Sequence, residues 1–181
     1  MSQTSRHPFR PGLRGLSLFV ATILVTLPLA TALFWLDPES YRALNPHALV
    51  FSLPTPAPLP GWQKAAGFLV NMIAVGLLMV ALHHLRALLA LWRTGQRLSA
   101  ASARRCRLTG LFTIGYGIAD IASEPLLSLA LTLGNPVGER MIVLGLEATQ
   151  ILAFLPGVMA LAMSHVITEG ADTRTELDAI I

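Results

Sequence analysis

Apolar residues run almost unbroken over roughly 15–36, 66–91, 108–134 and 148–168, and polar residues collect in the segments between. A hydrocarbon core of about 30 Å is crossed by about 20 apolar helical residues. Each stretch therefore predicts one transmembrane helix. Together they occupy just over half the chain, which leaves no room for a separate soluble domain. The expected fold class is all-α: a polytopic membrane protein with four transmembrane helices in a single membrane domain spanning 1–181.

Composition strengthens this picture. Of 181 residues, 54% are hydrophobic and 13% charged, about half the charge of an ordinary soluble domain. The placement of the basic residues sets an orientation. The N-terminus (Arg6, Arg10, Arg14) and the segment between spans two and three (Arg86, Arg93, Arg97, Arg104, Arg105, Arg107) hold nine of them. The other two connections hold three: Arg42, Lys64 and Arg140. By the positive-inside rule both termini are expected in the cytoplasm, with the protein multi-pass in the cytoplasmic (inner) membrane. The segments then read as an external loop 37–65, a cytoplasmic basic linker 92–107 and a cytoplasmic acidic tail 169–181. Ala30-Thr31-Ala32 imitates a signal-peptide cleavage site, but Leu33-Phe34-Trp35-Leu36 carries the apolar run past it, so the first span is expected to stay as an anchor.

The connections have their own signals. Pro54, Pro56, Pro58 and Pro60 alternate through the external loop, which forbids helix and favours an extended spacer or, alternatively, a docking ligand. Gly95 is expected to end the second helix. Ser99 is a natural N-cap for a short basic helix, Ala100–Arg107, that leads into span three. Arg93, Arg97, Arg104, Arg105 and Arg107 would then lie against anionic headgroups. Cys106, the lone cysteine, excludes an intramolecular disulfide and Cys-based metal motifs.

Span three carries the chemistry that calls for explanation. Asp120 and Glu124 stand at i and i+4 on one helical face, which Thr113, Gly117 and Ser128 extend into a polar stripe. Ionisable residues at this depth are costly and are candidate functional sites by default. Asn71 of span two, and Glu147 with Gln150 at the start of span four, fall in the same outer half. Asp120, Glu124, Asn71 and Glu147 thus form a candidate proton- or cation-binding cluster, with Arg140 and Lys64 as the nearby cations. The competing reading is a hydrogen-bonded group that fixes helix packing. Gly115, Ala119 and Ser123 form a row of small residues beside that stripe and predict a packing seam.

Other classes find less support. His84 and His165 fall near the cytoplasmic boundary, where opposed histidines could ligate a haem iron; no haem-attachment motif accompanies them. No nucleotide-binding, hydrolase or metalloprotease motif occurs, so no catalytic residue, metal or cofactor is expected. The linker arginines follow from topology and do not require nucleic acid.

The order Leu91-Trp92-Arg93-Thr94-Gly95, a Ser99-led helix with Arg104-Arg105, Gly134-Asn135-Pro136-Val137-Gly138-Glu139-Arg140, His165-Val166-Ile167-Thr168-Glu169-Gly170 and a terminal Glu176-Leu177-Asp178 resembles the bacterial membrane proteins of domain-of-unknown-function family 2975. The resemblance covers roughly 66–181. It implies four spans and a cytoplasmic-membrane location, and it adds no catalytic residues, because that family has no assigned activity. It also implies that Arg140–Gln150 is an external turn entering span four. Its members are often encoded beside small helix-turn-helix regulators, which makes a cytoplasmic protein partner conceivable. The acidic tail, Glu176 included, would pair with the linker arginines or present a docking motif. The expectation is a non-enzymatic regulatory or accessory protein whose partners are the lipid bilayer, a cytoplasmic protein and, where it self-associates, further copies of the chain. The alternative is a small proton- or cation-binding carrier or channel subunit.

Overall fold

The computed structural model describes residues 10–41, 52–55, 58–146 and 148–180, with the side chains of 10, 11, 149 and 174–180 outside the description. Among the described residues, the α-helices that build the fold are α1 (Arg10–Leu36), α2 (Gly61–Arg93), α3 (Ala100–Thr132), the short α4 (Ala148–Leu152) and α5 (Phe154–Ile180). A 3-10 turn, Pro38–Tyr41, follows α1. Four segments, Gly12–Leu36, Gly61–Arg93, Ala100–Thr132 and Gln150–Thr173, are long and apolar enough to cross a membrane. Their surface is apolar too: Leu18, Phe19 and Val25 on α1 and Leu69 on α2 are each more than 60% exposed. Such a belt is tolerated in lipid and not in water, and the chain is accordingly a multi-pass membrane protein.

At 33 residues each, α2 and α3 are about 50 Å long and outreach a core of about 30 Å. The ends of α2 and α3 are written into the local sequence. After Arg93 the Gly95 N–H reaches the Trp92 carbonyl (3.2 Å) and the Gln96 N–H reaches that of Leu91 (3.1 Å). That pair of bonds closes a helix with a left-handed residue, and Gly95, at φ +90°, supplies it. Ser99 then caps the next helix, its Oγ accepting from the Ser102 N–H at 3.2 Å. Nothing between Arg107 and Leu108 breaks the backbone, so the basic segment and span three form one uninterrupted helix.

The helices pack in chain order: α1 on α2, α2 on α3, and α3 on α5, with no close backbone approach of α5 to α1 or α2 among the described residues. α3 is thus flanked on two sides. At the proline-rich end, Trp35, Leu53, Leu59, Leu127 and Leu131 form a buried cluster. The proline-rich stretch is drawn into it through Leu53 and Leu59, and the Asn135 side-chain amide donates to the Pro54 carbonyl (2.7 Å). The described residues on either side of the loop, 53–54 and 59, are packed against the helix ends. At the arginine-rich end, Leu88, Ala103, Cys106 and Ile167 join α2, α3 and α5.

Candidate functional site along the third helix

The polar stripe of α3 meets a piece of the chain's own backbone. After α3 a turn forms in which the Glu139 N–H bonds the Pro136 carbonyl (3.1 Å), with Gly138 at φ +104°. The chain then runs back along α3 without helical structure through Leu146. Thr132 Oγ1 accepts from the Met141 N–H (3.1 Å) and shares its own hydrogen between the carbonyls of Ser128 (2.8 Å) and Met141 (3.2 Å). Ser128 Oγ accepts from the Val143 N–H (2.9 Å). One step further along, the Glu124 carboxylate lies against Gly145, where any side chain would strike it, and accepts from Gln150 Nε2 (3.1 Å).

The spacing explains the match. Four helical residues rise about 6 Å and two extended residues advance about 6.6 Å, so 132, 128 and 124 fall in step with 141, 143 and 145. Non-helical backbone at membrane depth survives only where its polar groups find partners inside the protein. The hydroxyls of Thr132 and Ser128, both 0% exposed, supply them. Exposure alternates accordingly over 142–146: Val143 and Gly145 are half-buried, while Ile142, Leu144 and Leu146 are exposed. Where the resemblance implied a turn, residues 140–146 therefore form a returning segment, and α4 and α5 follow it. The Ala153 N–H, bonded to the Gln150 carbonyl, carries the chain into α5.

Asp120 looks elsewhere. With Asn71, Thr31, Tyr116 and Ser123 it lines a cavity of about 180 Å³ between α1, α2 and α3. The structure places Asp120 and Asn71 on one cavity, which Glu124 does not line, and Glu124 meets Gln150 instead. Glu147 lies outside the described residues. Lys64 Nζ donates to the Leu36 carbonyl (3.0 Å) and Arg140 Nε to that of Asn135 (3.4 Å). Thr113, placed on the stripe by sequence, returns its hydroxyl to the Thr109 carbonyl (2.8 Å).

The row of small residues faces α2, where a Cβ on Gly115 would lie 3.9 Å from Leu77. The tighter seam is on the other side, where a Cβ on Gly110 would come within 2.8 Å of the Gly157 carbonyl. Sequence reasoning also passed over Gln63, 1% exposed, whose Nε2 donates to the Leu131 carbonyl at 2.6 Å and so pins α2 to the end of α3. Its signal was available: an amide between Trp62 and Lys64 at the mouth of an apolar run.

At the arginine-rich end, Arg93, Arg97, Arg104 and Arg107 are exposed, whereas the Arg105 guanidinium meets His84 Nδ1 at 2.9 Å. His165 borders a groove beside Arg107, between α3 and α5. His84, next to Arg105 and Phe112, occupies the α2 side of α3, so α3 stands between the two histidines considered for haem. Among the described residues no three His, Cys, Asp or Glu gather as a metal site would require. Glu176 belongs to α5, with its side chain outside the description.

A family model described as "Protein of unknown function (DUF2975)" matches residues 26–181. The match begins within α1, ahead of the part that carried the resemblance in sequence. No curated protein and no solved structure matches the chain.

Proposed function

We propose a non-enzymatic accessory or regulatory role for this chain, which belongs to the DUF2975 family of proteins of unknown function. It acts in the cytoplasmic membrane through its arginine-rich end, which faces the cytoplasm together with both termini. The observation that carries this reading is the packing of the linker onto the C-terminal helix. Leu98 lies against Gly170 so closely that a Cβ there would sit 3.0 Å from it. The Cys106 thiol, further along on α3, donates to the Ala160 carbonyl (3.2 Å). The linker and the start of the tail are therefore packed together, with Arg93, Arg104 and Glu169 exposed, so a partner that meets one is placed to meet the other. The use of Thr132, Ser128 and Glu124 to hold the chain's own segment supports the reading as well, because it takes those groups out of any transport path. A photo-crosslinking residue placed in turn at Arg104 and at Glu169, in cells, is expected to capture the same soluble protein. Capture of unrelated sets, or none from either position, sinks the proposal.

A second reading rests on the cavity at Asp120 and Asn71. A carboxylate, an amide and hydroxyls in about 180 Å³ of space suit a hydrated proton or a small cation, which is the carrier alternative. Vesicles reconstituted with the full chain would show a proton or cation flux that Asp120→Asn abolishes. Absence of flux from the parent protein rejects this reading and leaves the first untouched.

A further inference from the structure

We infer that the groove between α3 and α5 at the arginine-rich end binds one anionic phospholipid, its phosphate against Arg107 and His165. The groove encloses about 430 Å³ and is lined by Arg107 and Leu111 from α3 and by Leu161, Ser164, His165 and Thr168 from α5. Its two walls run antiparallel and are graded in the same direction. On α3, Arg107 stands at the arginine-rich end and Leu111 one turn deeper. On α5, Thr168 and His165 stand at that end and Leu161 one turn deeper. A cationic mouth above an apolar floor matches a ligand with a charged head and a hydrocarbon chain, lying along the bilayer normal as a lipid does.

Charge bookkeeping within the fold selects the sign of the head. Arg105 is engaged by His84, Lys64 and Arg140 donate to backbone carbonyls, and Arg97 has a partner. Arg107 and His165 make no hydrogen bond or ion pair with another described residue, and no carboxylate stands among the described residues that line the groove. The hydroxyl hydrogens of Ser164 and Thr168 are taken by the carbonyls of Leu161 (2.7 Å) and Ser164 (2.9 Å). The donors left to face the groove are a guanidinium, which grips phosphate in a fork, and an imidazole. Basic pockets between membrane helices at headgroup level are suited to acidic lipid heads. The inference does not depend on the regulatory proposal, nor on which side of the membrane this end faces.

The test uses the purified full chain in detergent, offered phosphatidylglycerol, phosphatidylcholine or inorganic phosphate in turn, with lipid adducts counted by native mass spectrometry. The parent protein is expected to retain one phosphatidylglycerol in preference to phosphatidylcholine. Arg107→Gln should lower that retention about tenfold, while Arg86→Gln, exposed on α2 and outside the groove, leaves it unchanged. Leu111→Trp, which keeps Arg107 and His165 and fills the apolar floor, should also expel the lipid, so the proposal remains testable if Arg107→Gln does not fold. Equal losses in Arg107→Gln and Arg86→Gln would mean diffuse attraction and overturn it. So would equal retention of phosphatidylcholine, or displacement of the lipid by inorganic phosphate at comparable concentration.

Discussion

Ser128→Ala removes one acceptor from the returning segment and leaves the helix that carries it otherwise intact. Its Oγ takes the Val143 N–H at 2.9 Å and is fully buried, so no water replaces it. A buried N–H left without a partner costs about 1–3 kcal/mol, whereas hydrogen bonds between membrane segments average only about 0.6 and reach about 1.7 kcal/mol. The expected loss is therefore about 1–2 kcal/mol. Thr132→Val preserves shape and strips both bonds to Met141, for about 2–3 kcal/mol on the same reasoning. Ser123→Ala is the control: its hydroxyl serves only the Asp120 carbonyl of its own helix (2.6 Å), and its loss should stay within about 0.5 kcal/mol. Unfolding of the purified chain by SDS in mixed micelles, followed by helical circular dichroism, reads the free energies. Amide exchange by mass spectrometry then locates the effect, and residues 139–146 should exchange faster in Ser128→Ala while α5 does not. The reasoning fails if Ser128→Ala costs no more than Ser123→Ala, or if exchange over 139–146 is unchanged.

The same titration checks two further expectations. Gly157→Ala would bring a Cβ within 3.1 Å of the Gly110 carbonyl and 3.2 Å of the Ile114 nitrogen, backbone atoms that retreat only if α3 and α5 separate, so a loss of about 1–3 kcal/mol or more is expected. Gly76→Ala, with nothing within 4 Å of the new carbon, should be neutral or gain up to about 1 kcal/mol from helix propensity. Glu124→Gln keeps an oxygen for Gln150 Nε2 and should cost less than about 0.5 kcal/mol, whereas Glu124→Leu removes that acceptor and should cost about 1–3 kcal/mol. Equal behaviour of the two Glu124 variants would show that the carboxylate holds nothing in place.

Sequence resolves the parts of this fold that depend on one helix at a time. Span length follows from bilayer thickness, the α2 terminus from Gly95, and the α3 start from Ser99. What it leaves open depends on neighbours. Met141–Leu146 contains only residues a transmembrane helix would accept, and its alternation acquires meaning only beside Ser128 and Thr132. The clues were Gly138 before it, Gly145 within it and hydroxyls four apart on α3, none of them decisive without the pairing. The carboxylates pose the same problem more sharply. Residues at i and i+4 are not superimposed on a helix: at 3.6 residues per turn they differ by about 40°. On a helix with one neighbour that offset is immaterial, and Asp120 and Glu124 would share a site. On α3, flanked by α2 on one side and by the returning segment and α5 on the other, it is enough to turn Asp120 toward Asn71 and Glu124 toward Gln150. Whether two acidic residues form one site or two is thus decided by how many surfaces the helix must serve. In a chain whose helices pack in a row, each inner helix serves two.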